Sequence, residues 1–181
     1  PWGGTSTASI LKRLPAATSL SVTEVSKHNV SFIKERLVQE GHSPERVTYQ
    51  LMCEGILPYD TASLDLLILS QVIEHMPSPQ AMLDEVRRVL KRGGHLMIST
   101  RNLDSAYGEL WQSVESRGQV PNQGPFKPCS AIEVSAWLAA RFDIEEEIGI
   151  GTEATGDARV LRDKSRFGCR LYAVRCRRDS T

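Results

Sequence analysis

The chain has 181 residues, with 22 Lys plus Arg balanced by 22 Asp plus Glu, four His and four Cys. That length suits one well-buried core and is short for two, and a net charge of zero supplies no field to hold the protein on nucleic acid or an anionic membrane. Cys53, Cys129, Cys169 and Cys176 form no C-x-x-C pair, and no apolar run reaches membrane-spanning length, so the expectations are a single cytoplasmic domain over 1–181, reduced thiols, a small-molecule partner and no metal, membrane or nucleic acid.

In chain order, "ASILKRL" (8–14) puts Ile10, Leu11 and Leu14 on one helical face until Pro15 stops it. "SLSVTEVS" (19–26) alternates and is rich in β-formers, which predicts a strand. Ser26 then caps a helix in which Val30, Ile33, Leu37 and Val38 recur at helical spacing before Gly41 ends it. "RVTYQLM" (46–52) predicts a second strand. "LDLLILS" (64–70) predicts a third, whose near-continuous apolar run fits burial on both faces of a parallel sheet.

Pro77 and Pro79 open a helix with Met82, Val86, Val89 and Leu90 as its buried stripe and Gly93–Gly94 as its stop, followed by a strand at "HLMIST" (95–100). Strand, helix, strand, strand, helix, strand is the order of a doubly wound α/β sheet. The last third reads as a helix at "AYGELWQSVES", a Gly/Pro-punctuated loop, a helix at "SAIEVSAWLAARF", and strands at "FDIEEEIGIG" and "GCRLYAVRCRR" joined by a polar connection over 152–167. Two late strands without an intervening helix predict an antiparallel hairpin closing one edge of the sheet.

The stretch "LDLLILSQVIEHMPSPQAMLDEVRRVLKRGGHLMISTRN" (64–102) sets a strand, an "IEH" turn, a helix ending "RVLKRGG" and another strand in one order. In that order the chain resembles the class I S-adenosylmethionine-dependent methyltransferases, their small-molecule branch in particular. The helix over 130–142 and the late strand pair extend the resemblance across almost the whole length. It implies a Rossmann-like, mostly parallel sheet with a final antiparallel strand, S-adenosyl-L-methionine as cofactor, and methyl transfer to a small-molecule acceptor.

The same resemblance assigns candidate residues. Glu24, with Val25 beside it, ends the strand that offers a carboxylate to the cofactor's ribose hydroxyls. Cys53 stands where the family has an acidic side chain for the adenine amine, with Glu54 adjacent; a thiol accepts hydrogen bonds weakly, and the other reading makes Cys53 a small buried apolar residue. Ser70 and Gln71 line the methionine part. His75 is the candidate general base for a substrate hydroxyl, or belongs with Glu74 to a turn held by side-chain hydrogen bonds. Tyr107, Trp111, Phe126 and Lys127 form either a substrate cover or, for the aromatics, core.

The opening "PWGGTSTAS" (1–9) matches the family's glycine loop with Trp2, Gly4 and Ser6 on the three glycine positions, so Gly3, Gly4 and Thr5 are the cofactor-binding candidates there. The fold's first strand would precede Pro1, and it is expected to be missing or supplied from elsewhere, which fits an oligomer or a larger assembly. The alternative function is therefore a catalytically inactive methyltransferase-like domain acting as a structural or binding subunit.

Overall fold

A strand of five residues, β1 (Leu20–Glu24), runs parallel to β2 (Val47–Leu51), with Leu20 opposite Val47 and Glu24 opposite Leu51. The computed structural model that shows this describes residues 4–15, 18–53, 55–117, 127, 129–151, 160–162, 169 and 171–179. It divides into two compact units, 1–58 and 59–181.

In the first unit, helices α1 (Thr5–Leu11) and α2 (Lys27–Gln39) join this pair of strands, and Ala8, Leu11, Val22, Ile33, Leu37 and Val47 form its core. Two sequence expectations change here. Helix α1 begins earlier than the apolar run and buries Thr7, Ala8 and Leu11, leaving Ile10 and Leu14 half-buried. In α2, Val38 is exposed while Leu37 is fully buried, because adjacent helical residues point about 100° apart. Gly4 precedes α1 with φ of 80°, and a Cβ on it would stand 3.2 Å from the Ile33 side chain. The position therefore favours glycine both for its backbone and for the space α2 leaves it.

The second unit holds a five-stranded sheet in the order β3 (Leu64–Ser70), β4 (Leu90–Arg101), β7 (Leu171–Arg177), β5 (Asp143–Ile150), β6 (Val160–Leu161). β3 and β4 are parallel, whereas β4–β7, β7–β5 and β5–β6 are antiparallel. The late strands do pair antiparallel, as the sequence predicts, but β7 inserts between β4 and β5, and β6 lies within the connection read as a loop. Strand β4 begins at Leu90, so the Gly93–Gly94 pair sits inside the strand instead of stopping a helix. Gly93 adopts φ of 73° and donates its N–H to the Arg178 carbonyl at 3.0 Å, while Arg178 N–H returns to Gly94 at 2.8 Å.

Helices α3 (Pro79–Val89) and α5 (Ala131–Ala139) pack on this sheet, burying Met82, Leu83, Val86 and Val89, with Val134 and Leu138, together with Leu96, Ile98, Tyr172, Val174 and Cys176. Ser78 caps α3 and Pro79 occupies its first turn; Ser130 and Glu133 make a reciprocal capping box on α5. α4 (Ala106–Ser116) matches its predicted span. The expected burial of β3 on both faces does not hold: Leu66 and Ile68 are 44% and 38% exposed, and of the strand only Leu69 is buried. Among the described residues β3 pairs with β4 on one side alone, and Met97, opposite Ile68, is likewise exposed. All four cysteines are free, and no helix among the described residues is long and apolar enough to cross a membrane.

Candidate functional site

Open α/β sheets take ligands beyond the carboxyl ends of their parallel strands, so those ends locate the candidates in each unit. In the first unit the register of β1 against β2 brings Glu24, Val25 and Cys53 to one end, and Met52 N–H ties the two strands there by donating to the Glu24 carbonyl at 2.8 Å. The Glu24 side chain is buried, and its Oε2 accepts from Val25 N–H at 3.2 Å and from Asn29 Nδ2 at 3.3 Å. Val25, by contrast, is 66% exposed. The end of β1 therefore carries a fixed carboxylate, an acceptor only, beside an exposed apolar side chain.

Cys53 is exposed, which overturns its reading as a small buried apolar residue. It follows β2 and makes an isolated antiparallel bridge with Ile56, itself exposed, so no packing encloses the thiol. Thr5 is the exposed first residue of α1. Ser6, matched to a glycine of the loop, lies inside that helix and is exposed. Gly3, Glu54, Trp2 and Phe126 lie outside the described residues.

In the second unit Ser70 ends β3 and Gln71 follows it, beside the end of β4. Ser99 Oγ donates to Ser70 Oγ at 3.2 Å, and Gln71 N–H donates to the Ser99 carbonyl at 2.7 Å. Gln71 adopts φ of 52°, a left-handed conformation uncommon outside glycine, Asn and Asp. His75 closes the short 3₁₀ turn Ile73–His75, half-buried, with its N–H donating to the Val72 carbonyl at 3.0 Å. Its neighbour Glu74 is fully buried, and burial pushes its carboxyl above the ordinary value of 4.5 despite Thr100 Oγ1 at 3.0 Å. The "IEH" turn is therefore held from inside by its glutamate.

Several residues that matter here were not marked by the sequence reading. Asn29 orients Glu24; its signal is a polar side chain on the first turn of the helix after the strand. Asn102, fully buried after β4, receives Ala131 N–H at 2.9 Å and Asp104 N–H at 3.2 Å on Oδ1, and donates Nδ2 to the Cys169 carbonyl at 3.0 Å. It thus joins the end of β4 to α5 and to Cys169. Burial pushes the Cys129 thiol up to about 11 and the Cys176 thiol to about 12, which removes both as nucleophiles near neutrality. Trp111, a substrate-cover or core candidate, is half-buried, with the Arg101 guanidinium 4.1 Å from its ring centroid in a cation–π contact. Among the described residues no group of acidic, His or Cys side chains is arranged to hold a metal ion.

The family described as "Methyltransferase domain" matches residues 3–98 of the chain. The ubiquinone biosynthesis O-methyltransferase of Xanthomonas oryzae pv. oryzae is 28% identical over 142 residues, 74% of this chain. The chain spans 58% of the length of that enzyme, and 39% of an uncharacterised Methanocaldococcus jannaschii protein to which it is 30% identical over 82 residues. Solved structures share the fold at low identity. The [4+2]-cyclase SpnF superposes with TM-score 0.70 at 18% identity, covering 99% of this chain and 73% of the cyclase. A SAM-dependent methyltransferase from Aquifex aeolicus gives 0.65 at 15%, covering 97% and 77%. The family match covers more than half of the sequence and includes both Glu24 and the segment from Ser70 to His75, and on it the chain belongs to the methyltransferase domain family with the class I methyltransferase fold.

Proposed function

We propose that this chain is an S-adenosyl-L-methionine-dependent methyltransferase domain acting on a small-molecule acceptor in the cytoplasm. The observation that carries the reading is Glu24: a buried carboxylate at the carboxyl end of a parallel strand, its Oε2 fixed by a backbone N–H and by Asn29, inside the segment the methyltransferase family matches. Glu24 would accept from the ribose hydroxyls with Val25 against the base. Gly3, Gly4 and Thr5 would approach the cofactor from the opening loop, Cys53 and Glu54 would flank the adenine edge, and Ser70 and Gln71 would meet the methionine portion. The bound cofactor supplies a sulfonium methyl that needs little activation, so the chain's contribution is alignment and exclusion of water, with His75 available to take a proton from an acceptor hydroxyl.

The acceptor reading draws on the ubiquinone O-methyltransferase relative. Titration calorimetry of the folded chain with S-adenosyl-L-methionine tests the proposal. The expected result is saturable binding that Glu24→Ala weakens; no heat at about millimolar cofactor, the weak limit of specific binding, overturns it.

A second reading, a methyltransferase-like subunit without turnover, is favoured by the exposed Leu66 and Ile68 of β3, which belong in an interface more readily than in water. It shares the single domain over 1–181 and predicts association with another chain. Methyl transfer by a monomer would exclude it.

A further inference from the structure

At the carboxyl ends of β3 and β4 the cation Arg101 is held in a fixed attitude. It is the last residue of β4, and its guanidinium lies over the ring of Trp111 on α4, 4.1 Å from the centroid. Alternation along β4 sets Arg101 on the face that carries Ser99, whose Oγ meets Ser70 Oγ at 3.2 Å across the parallel pair. The backbone N–H of Arg101 faces the Glu74 carboxyl, which also accepts from Thr100 Oγ1 at 3.0 Å. The end of β4 is thereby joined to the turn that ends in His75.

Helix α4 does not need the stack to keep its place. Ser105 Oγ donates to the Asn102 carbonyl at 2.7 Å, and Gly108 N–H donates to the Ser105 carbonyl at 2.8 Å. Gly108 lies so close to the carbonyls of Asn102 and Leu103 that a Cβ has no room. These contacts fix the start of α4 to the end of β4, and the helix then carries Trp111 to Arg101.

A guanidinium stacked on an indole uses its flat face and keeps its N–H fork in the plane, the geometry that meets two oxygens of a carboxylate or a phosphate. The stack sets the side chain beforehand, so less rotamer freedom is lost when an anion arrives. Arg101 Nη1 is shielded from solvent, which strengthens its attraction for negative charge above the value in water. Whatever contact the fork holds in the resting chain, an oxyanion offers it two acceptor atoms at once.

We propose that Arg101 is a specificity-determining residue for the acceptor, a small molecule bearing a carboxylate or phosphate that the Arg101 fork receives while Trp111 backs it. Tyr107, half-buried and one helical turn before Trp111, stands on the same flank of α4 and gives the acceptor's body an aromatic neighbour. The part in methyl transfer rests on the methyltransferase reading, because the end of β4 faces an acceptor only under it. Oxyanion binding at Arg101 does not depend on that reading.

Calorimetric titration of the whole chain with benzoate, phenyl phosphate and benzyl alcohol, with and without S-adenosyl-L-methionine, separates the two. Benzoate or phenyl phosphate should bind about 10- to 100-fold more tightly than neutral benzyl alcohol, the ratio expected of a charge-assisted pair, and the tighter of the two names the oxyanion. Arg101→Gln should abolish the preference, and Arg101→Lys should restore only part of it, since an ammonium keeps the charge and loses the fork. Should both variants fail to fold, the wild type decides: the bound oxyanion should change the emission of Trp111, a change absent from Trp111→Phe. An oxyanion preference in a folded chain that binds no S-adenosyl-L-methionine sinks the methyltransferase reading and keeps the site. Equal affinity for the three probes, no binding at about millimolar concentration, unchanged Trp111 emission, or an intact preference in Arg101→Gln overturns the proposal.

Discussion

Asn29 holds Glu24 from five residues away: its Nδ2 stands 3.3 Å from the oxygen that also receives the Val25 N–H at 3.2 Å. A carboxylate fixed this way loses less rotamer freedom when a ligand hydroxyl arrives. Asn29→Ala should therefore weaken cofactor binding by about 1 kcal/mol, and Glu24→Gln by about 1.5–3 kcal/mol through loss of a charge-assisted hydrogen bond. Calorimetric dissociation constants for the three proteins check both, and equal affinities in Asn29→Ala and wild type would remove the orienting role.

The buried carboxyl of Glu74 predicts a pH dependence of stability with a definite sign. Its native value is raised above the ordinary 4.5, so between the two values the folded chain binds more protons than the unfolded one. Stability must then fall as pH climbs through that window and stay reduced above it. Urea unfolding across a pH series should show this slope in the wild type and its absence in Glu74→Gln. A slope of the opposite sign assigned to Glu74 by that comparison would refute the raised value.

How far the sequence speaks can be judged at particular residues. Strand β1 and α2 are legible because alternation and helical spacing follow one another without a gap, and that register is what identifies Glu24 as a strand end; Ser26 stands at the N-cap position, but its side chain makes no capping hydrogen bond. The limits of β3 were legible from its apolar run, but its burial was not, since a continuous run carries no information about which face or edge is covered. β6 spans Val160–Leu161, too few residues for any period to show. Glu74 read as a polar turn residue because burial of a carboxyl depends on Thr100 and Lys127, which only the folded chain brings to it.

Ser130 and Glu133 cap α5 reciprocally, with Glu133 N–H on Ser130 Oγ at 3.1 Å and Ser130 N–H on Glu133 Oε2 at 3.0 Å. Ser130→Ala should cost about 1 kcal/mol, with Ser130→Gly milder by a few tenths to about a kilocalorie because glycine is a tolerated cap. Thermal unfolding ranks the two variants, and the reverse order would assign the loss to Ser130 burial instead of the cap.

Gly108 has no room for a side chain: a Cβ would stand 2.2 Å from the Leu103 carbonyl oxygen and 2.5 Å from that of Asn102. Both obstacles are backbone, so the start of α4 must move. Gly108→Ala should destabilise the protein by at least about 1–3 kcal/mol despite alanine's better helix propensity. A stability gain in chemical denaturation would show that the turn relaxes freely.

The two faces of β3 give opposite expectations for one kind of substitution. Leu66 is 44% exposed, whereas Leu69 is 6% exposed. Lysine at Leu66 can keep its ammonium in water along the open face, so Leu66→Lys should stay within about 0.5 kcal/mol of wild type. Leu69→Lys must bury its charge or expel the strand, and should cost several kcal/mol, about 3 or more. Denaturant midpoints of this chain measure the pair. A large loss in Leu66→Lys that depends on protein concentration would mean that another chain covers the face, which is the outcome the subunit reading requires and the monomeric enzyme does not.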